Sequence, residues 1–370
     1  MIVSLSLAGE GGMMRLGRIF VLAGLAATGV ASAATVGYFQ TNLTSDIPGL
    51  AANLDPLLKN PWGMSFSATS PFWLSDQVSN VATLYSGAGV PNPLVVTTPP
   101  VPGPGPTGQV FAGGLGFIIT PGVTANFIFS TLAGTIDAWN SGTTAVTKFT
   151  APDGAVYTGL AQAGSLLYAA DTFNDKIDVF DTSFQKTTVA GNFVDPNVAA
   201  GFTPYDIQNV GGNLYVEYAK RNSPGGFVAV FDANGHLLQH ISDPHLNSPW
   251  GVTLAPGGFG QFANDLLVGN FGDGMINAFD PVTGAFLGTL SNANGSPIVN
   301  SGLWAIHFRS PGSGFDPNTL FFAAGINNEA DGLFGSIQVV PEPATLGTFG
   351  FVVAGAVLVH MRRRRSRERN

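Results

Sequence analysis

Four aromatic residues recur at equivalent places along the chain: Trp62 in PWGMSF, Tyr205 in PYDIQN, Trp250 in PWGVTL and Trp304 in GLWAIHF. After each comes an apolar run, and after several of those runs stands a carboxylate or an amide: Asp76, Asp171, Glu217, Asn270 and Asp273. Aromatic faces attract cations and offer flat surfaces to sugar rings. Carboxylates and amides bind hydroxyl groups or ligate a hard cation. If folding gathers both sets, the chemistry is capture of a carbohydrate or a cation. The same residues also have purely structural uses. An aromatic opening a strand wedges between packed sheets, and Asp or Asn after a strand turns the chain by bonding its own backbone.

Several other chemistries are excluded. The chain has no Cys, so it has no disulfide, thiolate nucleophile or Cys-ligated metal. Its five histidines are His236, His240, His245, His307 and His360. His236 and His240 are four apart but follow Asn234-Gly235, which reads as a hairpin turn rather than a helix, so a helical two-His zinc site does not form. No Gly-x-Ser-x-Gly elbow is present. GNFGDG (269–274) is Gly-rich, but no helix pattern follows to cradle a phosphate. DTFNDKID (171–178) lacks the central Gly and distal Glu of an EF-hand. The cofactor reading is therefore none, with Ca2+ or another divalent cation as the one candidate and no metal ligand set assigned. Residues 34–343 carry 7 basic and 21 acidic residues, a balance of −14 that rules against nucleic acid as a partner.

The elements that would position these residues repeat. Segments starting near 61, 107, 156, 204, 249 and 302 each hold an opening with Pro or Gly, an apolar run, a second apolar run ending in a polar turn, and a third. The spacing is about 48 residues, in the range of propeller blades. With 49 Gly, 25 Pro and 28 Phe, the composition favours short strands and many turns. No copy can bury both faces of its own sheet, so the copies must stack. The expected fold is all-β, a six-bladed β-propeller over residues 34–340. AVFDANGHLL (228–237) and INAFDPVTGAFLGTL (276–290) read as outer hairpins, and ATVGYFQTNLTSD (34–46) as a strand that pairs into the blade built from 302–340. In such a blade the first strand begins, and the second ends, on one face. Trp62, Asp76, Asp171, Tyr205, Glu217, Trp250, Asn270, Asp273 and Trp304 are accordingly the candidate residues of a binding face, with no catalytic residue assigned.

The repeats resemble NHL-type six-bladed propellers. Taken whole, the body is similar to a family of conserved bacterial proteins of uncharacterised function, through TNLTSD (41–46), NPWGMSF (60–66), GTIDAWN (134–140), NSPWGVTLAP (247–256), LLVGNFGDGMINAFD (266–280) and GLWAIHF (302–308). Both ends read as addresses. Arg15 and Arg18, an apolar stretch over 19–30 and Ala31-Ser32-Ala33 have the order of a signal peptide over 1–33, cleaved between Ala33 and Ala34, with Met13 or Met14 as the true start. Pro341-Glu342-Pro343, an uncharged stretch over 344–361 that would span roughly 27 Å as a helix, and Arg362, Arg363, Arg364 and Arg365 resemble the PEP-CTERM sorting signal over 341–370. That resemblance implies handling by an exosortase in a Gram-negative bacterium that makes exopolysaccharide. The expected partners are then the Sec export machinery, the exosortase, the membrane through 344–361 before processing, and polysaccharide. The expected location lies beyond the inner membrane, in the cell envelope or outside it.

Two functions fit. One is a binding or structural protein of the cell envelope or extracellular matrix, linked to exopolysaccharide or biofilm. The alternative, by analogy with other six-bladed propellers, is a metal-dependent lactonase- or lyase-like enzyme, with an ion held over the central channel by Glu217, Asp171, Asn270 and Asp273.

Overall fold

A computed structural model describes residues 37–310 and 314–340. The expected signal peptide (1–33) and sorting segment (341–370) lie outside the described residues. Among the described residues, no helix is long and apolar enough to cross a membrane.

Six antiparallel sheets succeed one another along the chain. Their first strands are Pro61–Ser65, Pro106–Phe111, Tyr157–Ala163, Thr203–Val210, Pro249–Leu254 and Leu303–Phe308, close to the repeat starts expected from sequence. We number the blades I to VI in that order. Each first strand packs beside the first strand of the next blade, and that of blade VI packs beside that of blade I, so the ring closes. The fold is the six-bladed β-propeller.

Packing follows from the repeat. Each blade has two apolar faces, and six buried clusters fill the six seams. The seam between blades I and II holds Trp73, Leu84, Phe127 and Phe129. The seam between IV and V holds Tyr215, Val228, Val252 and Val268. Burying these side chains is worth about 1.5–3 kcal/mol each, and no blade obtains it without its neighbours. A seventh cluster, Trp62, Trp250 and Trp304, sits where the first strands begin.

Closure uses the N-terminal strand. Tyr38–Ser45 runs antiparallel to Leu333–Val339 and supplies the outer strand of blade VI. Tyr38 is buried between blades V and VI, and its hydroxyl donates to the Phe259 carbonyl at 3.0 Å. The hairpins expected at 228–237 and 276–290 form between Phe227–Phe231 and Leu237–Ile241, and between Ile276–Phe279 and Phe286–Thr289. Gly235 takes φ 75° in the first turn, a left-handed conformation that suits glycine. Blade II departs from the pattern: a two-stranded ribbon, Ile118–Thr120 with Val123–Thr124, is inserted between its first and second strands.

The first strand of every blade carries a register shift just after its opening residue. Two residues beyond that opening stand Gly63, Gly108, Gly159, Asp206, Gly251 and Ala305. At Gly108 a Cβ would collide with the Leu160 backbone of blade III, and at Gly251 it would lie 2.8 Å from the Ile306 nitrogen of blade VI. Glycine here lets neighbouring first strands touch along the axis. Asp206 is the one acid in the series.

Candidate functional site

The first strands surround an axial cavity of about 280 Å³. Trp62 and Trp250 form its floor, and Phe66, Phe111, Gln162, Asn209 and His307 lie toward the other end of the strands. Trp62 and Trp250 are buried whereas Asn209 is exposed, so the cavity opens where the first strands end. The floor is an aromatic plug. Trp62 stacks on Trp304 at 4.2 Å, Trp250 meets both edge-on, and Phe271 stacks on Trp304 at 4.3 Å. The Trp304 indole N–H donates to Asn60 Oδ1 at 2.7 Å.

This places the residues expected to form a binding face. Trp62, Trp250 and Trp304 do converge, with Tyr205 half-buried against Trp250. They close the channel from that side instead of walling an open mouth. Asp76, Asp171 and Asn270 also occupy equivalent positions, opposite Pro61, Tyr157 and Pro249. All three are fully buried and hold local structure. Asp76 accepts from the Thr83 hydroxyl, and burial raises its pKa well above the ordinary value. Asp171 accepts backbone N–H groups of Val156 and Asn174. Asn270 Oδ1 accepts the Asn247 N–H, while its amide donates to the His245 carbonyl and to Asp273. Asp273 caps its own turn by accepting the Met275 N–H.

Glu217 does not share that position. It sits one residue earlier on its strand, paired directly with Asp206, while Tyr218 lies opposite Pro204. Its neighbours on the same face fill the seam between blades IV and V. The four residues Glu217, Asp171, Asn270 and Asp273 are therefore not brought to one point. Elsewhere, Asp153, Asp171 and Asp178 approach one another closely. Two ammonium groups already occupy that cluster: Lys176 Nζ lies 2.7 Å from Asp153 and 3.4 Å from Asp178, and Lys186 Nζ lies 2.6 Å from Asp178. It is an ion-pair network.

The groups that do face the cavity come from inside the first strands. Ser65, Gln109, Thr158, Gln162, Asp206, Gln208, Asn209 and His307 supply its polar atoms, and no Lys or Arg lines it. Gln109 donates from Nε2 to the carbonyls of Gly63 and Trp73, which leaves Oε1 buried without a partner. Ser65 Oγ is likewise buried and unpartnered. Asp206 Oδ2 accepts from Gln208 Nε2 at 3.0 Å, and Gln208 Oε1 accepts the Val252 N–H of blade V. Both oxygens of Glu217 are buried without partners. Burial pushes Asp206 up to about 8, and burial together with repulsion from Asp206 raises Glu217 well above the carboxylate range. The His307 ring faces the cavity, edge-on to Phe66 at 5.9 Å, and enclosure by protein lowers its pKa to about 4. At neutral pH the cavity thus offers the protonated carboxyl of Asp206, with Glu217 buried behind it, and an uncharged imidazole.

Sequence reasoning missed Asp206, although a signal existed. PYD puts an acid where the openings PWG, PTG, YTG, PWG and LWA have glycine or alanine, and Glu217 stands where the corresponding strands have Ser75, Ser130, Ala170, Gly269 and Ala323. Two small residues are replaced by two acids in one blade, at positions that face each other.

No protein-family model matches the sequence. The chain is 31% identical over 330 residues to the uncharacterised protein R648 of Acanthamoeba polyphaga mimivirus, across 82% of this chain and 79% of that protein. It is 30% identical over 322 residues to L690 of the same virus, across 78% and 82%. These relatives correct the family drawn from the motifs: the matching proteins are those of a giant virus, not a bacterial PEP-CTERM family, and exosortase sorting is not carried further. Among solved structures, a streptogramin B lyase superposes with TM-score 0.51 at 11% identity, across 84% of this chain and all of that one. A luciferin-regenerating enzyme gives 0.51 at 11% identity, across 82% and 95%. At that identity the likeness is one of fold alone.

Proposed function

The chain belongs to the family that includes the mimivirus proteins R648 and L690, and on that premise we propose that it is a binding protein that takes a small organic molecule into the channel of its propeller. One observation carries this reading. Gln109 and Ser65 line the cavity, and each carries a buried polar atom without a partner, Oε1 and Oγ. A buried polar atom without a partner costs about 1–3 kcal/mol, and a ligand that hydrogen-bonds both removes that cost. The cavity has the mixed lining of a small-molecule site, aromatic and aliphatic with a few convergent polar groups. At about 280 Å³ it suits a molecule the size of a monosaccharide or smaller. The test is a thermal-shift screen of small sugars, polyols and amines against the wild type and Gln162→Trp, which blocks the mouth. The reading expects stabilising compounds whose effect disappears in the variant. Hits that stabilise both proteins equally would overturn it.

One observation favours an enzyme as the second reading. Asp206, held protonated, and His307, held neutral, face one cavity, and a pair of groups pushed apart in this way is suited to general acid and general base roles. Turnover of a bound compound, lost in His307→Gln while binding persists, would establish it.

Export is part of the proposal as well, supported by the order of charge, apolar run and small residues over 13–33. A secreted protein whose mature chain begins at Ala34 agrees with it. Secreted material that keeps residues 13–33 would contradict it.

A further inference from the structure

We propose that the channel selects a small organic cation, with the ammonium group of the ligand seated on Asp206 and Glu217 behind it. This rests on the reading that the channel is the binding site, and adds the chemistry of what it takes.

The argument begins with what the lining omits. No Lys or Arg faces the cavity, and its single imidazole is uncharged at neutral pH, so an anion finds no counter-charge. What the lining does contain suits a donor-rich cation. Gln109 Oε1 is a buried acceptor with no donor, the unpartnered Ser65 hydroxyl can accept as well as donate, and Trp62 Nε1 is the one unpartnered donor among these lining residues; an ammonium group has three N–H donors and no acceptor. Trp62, Trp250, Phe66 and Phe111 add aromatic surface, which attracts organic cations and gives little to an inorganic ion.

The acid pair supplies the charge. Asp206 is the one departure from small residues at its position in six blades, and Glu217 is the matching departure on the paired strand. Either acid alone, placed where the other blades pack glycine, alanine or serine, would cost stability with no structural return. Neither carboxyl faces a cationic side chain: Asp206 has Gln208, Glu217 has no hydrogen-bond partner, and the other titratable groups nearby are Tyr215 and Tyr218. A ligand ammonium placed beside Asp206 gives the pair its missing counter-charge and lets it ionise. Binding should therefore release a proton near neutral pH. An acidic body, with 7 basic against 21 acidic residues in 34–343, would draw such a ligand toward the mouth.

The experiment is titration calorimetry of the folded protein with two cationic probes, ethanolamine and D-glucosamine, and their neutral counterparts, ethylene glycol and D-glucose. Proton release is read by repeating each titration in buffers of different ionisation enthalpy. The proposal expects a cationic probe to bind at least tenfold more tightly than its neutral counterpart, with proton release. Affinity should fall at least tenfold in Asp206→Asn and stay unchanged in Asp153→Asn, an exposed acid that is not part of the channel wall. Asp206→Asn keeps the shape of the side chain, and a melting curve on the same sample shows that it folds. If neutral probes bind as well as cations, and Gln162→Trp still blocks both, the ammonium proposal fails while the channel reading stands. If cations bind Gln162→Trp as tightly as wild type, both fail. If no cationic probe binds at millimolar concentration, the ammonium proposal is overturned.

Discussion

Replacing the acid pair by Asp206→Asn/Glu217→Gln should remove a loss of stability that grows with pH. In the folded protein burial raises Asp206 from 3.8 to about 8, and raises Glu217 in the same direction. In the unfolded chain both ionise near pH 4. Across the interval between, the folded protein keeps protons that the unfolded chain has released. The contribution of the pair is therefore fully present below about pH 4 and is lost as pH rises toward the folded pKa. One pKa unit is worth about 1.4 kcal/mol, so Asp206 alone can cost roughly 5 kcal/mol by about pH 8, as an upper limit that water entering the channel would reduce. Asp137, raised by burial to about 7, and Asp76, also raised, act in the same direction. His307 acts in the opposite sense: its neutral form favours folding above about pH 6.5, and that is lost as pH falls toward 4. These groups are common to both proteins, so the informative quantity is the difference between variant and wild type at each pH. Urea denaturation of ligand-free protein from about pH 4 to about pH 8 should show the variant's advantage growing by several kcal/mol. A difference that stays constant with pH, or one that shrinks as pH rises, would refute the buried, unpaired state of these carboxyls.

Deleting residues 37–46 removes the outer strand of blade VI together with Tyr38 and Leu43 from two seams, and should lower the melting temperature by well over 10 °C or prevent folding; an unchanged melting temperature would reject closure by this strand. Gly108→Ala drives a Cβ into the backbone of blade III and should cost about 1–3 kcal/mol by overpacking, whereas Ala305→Gly, at the equivalent position in blade VI, should cost less. Both are measured by urea denaturation. Arg309 is buried among Phe66, Phe72 and Phe315 and donates to the Ser67 and Ser70 carbonyls. Arg309→Met should destabilise by about 2–4 kcal/mol, because charge-assisted bonds are lost and carbonyls are left unpaired; a loss below 1 kcal/mol would show that the stacking, not the hydrogen bonding, matters at this site.

The blade number was legible because it is written six times. The Pro-x-Gly openings, the paired apolar runs and the Asn234-Gly235 turn are local signals, and each blade carries most of them. The closing strand was legible for the same reason: Tyr38–Ser45 reads as a strand with no repeat of its own to join. Which face binds was not legible. The aromatic openings and the acids after the second strand do converge, but whether Trp62, Trp250 and Trp304 stand around an opening or fill it depends on how far six side chains reach toward a common axis. That is a property of ring diameter, and no single repeat encodes it. In the sequence Glu217 follows an apolar run much as Asp171 and Asn270 do. In fact it lies one residue earlier, and with strand side chains alternating, one residue reverses the face. The informative feature was the pair of departures, Asp206 and Glu217, which only a strand-by-strand alignment of the six repeats brings out.

A crystal structure of the protein soaked with D-glucosamine near neutral pH tests the central claim most directly. The account predicts the sugar inside the channel, its amino group beside Asp206 and its ring above Trp62 and Trp250, within reach of Gln109 and Ser65. Density for the sugar on the opposite side, over the exposed turns that follow Asp76, Asp171 and Asn270, with the channel unchanged, would contradict it.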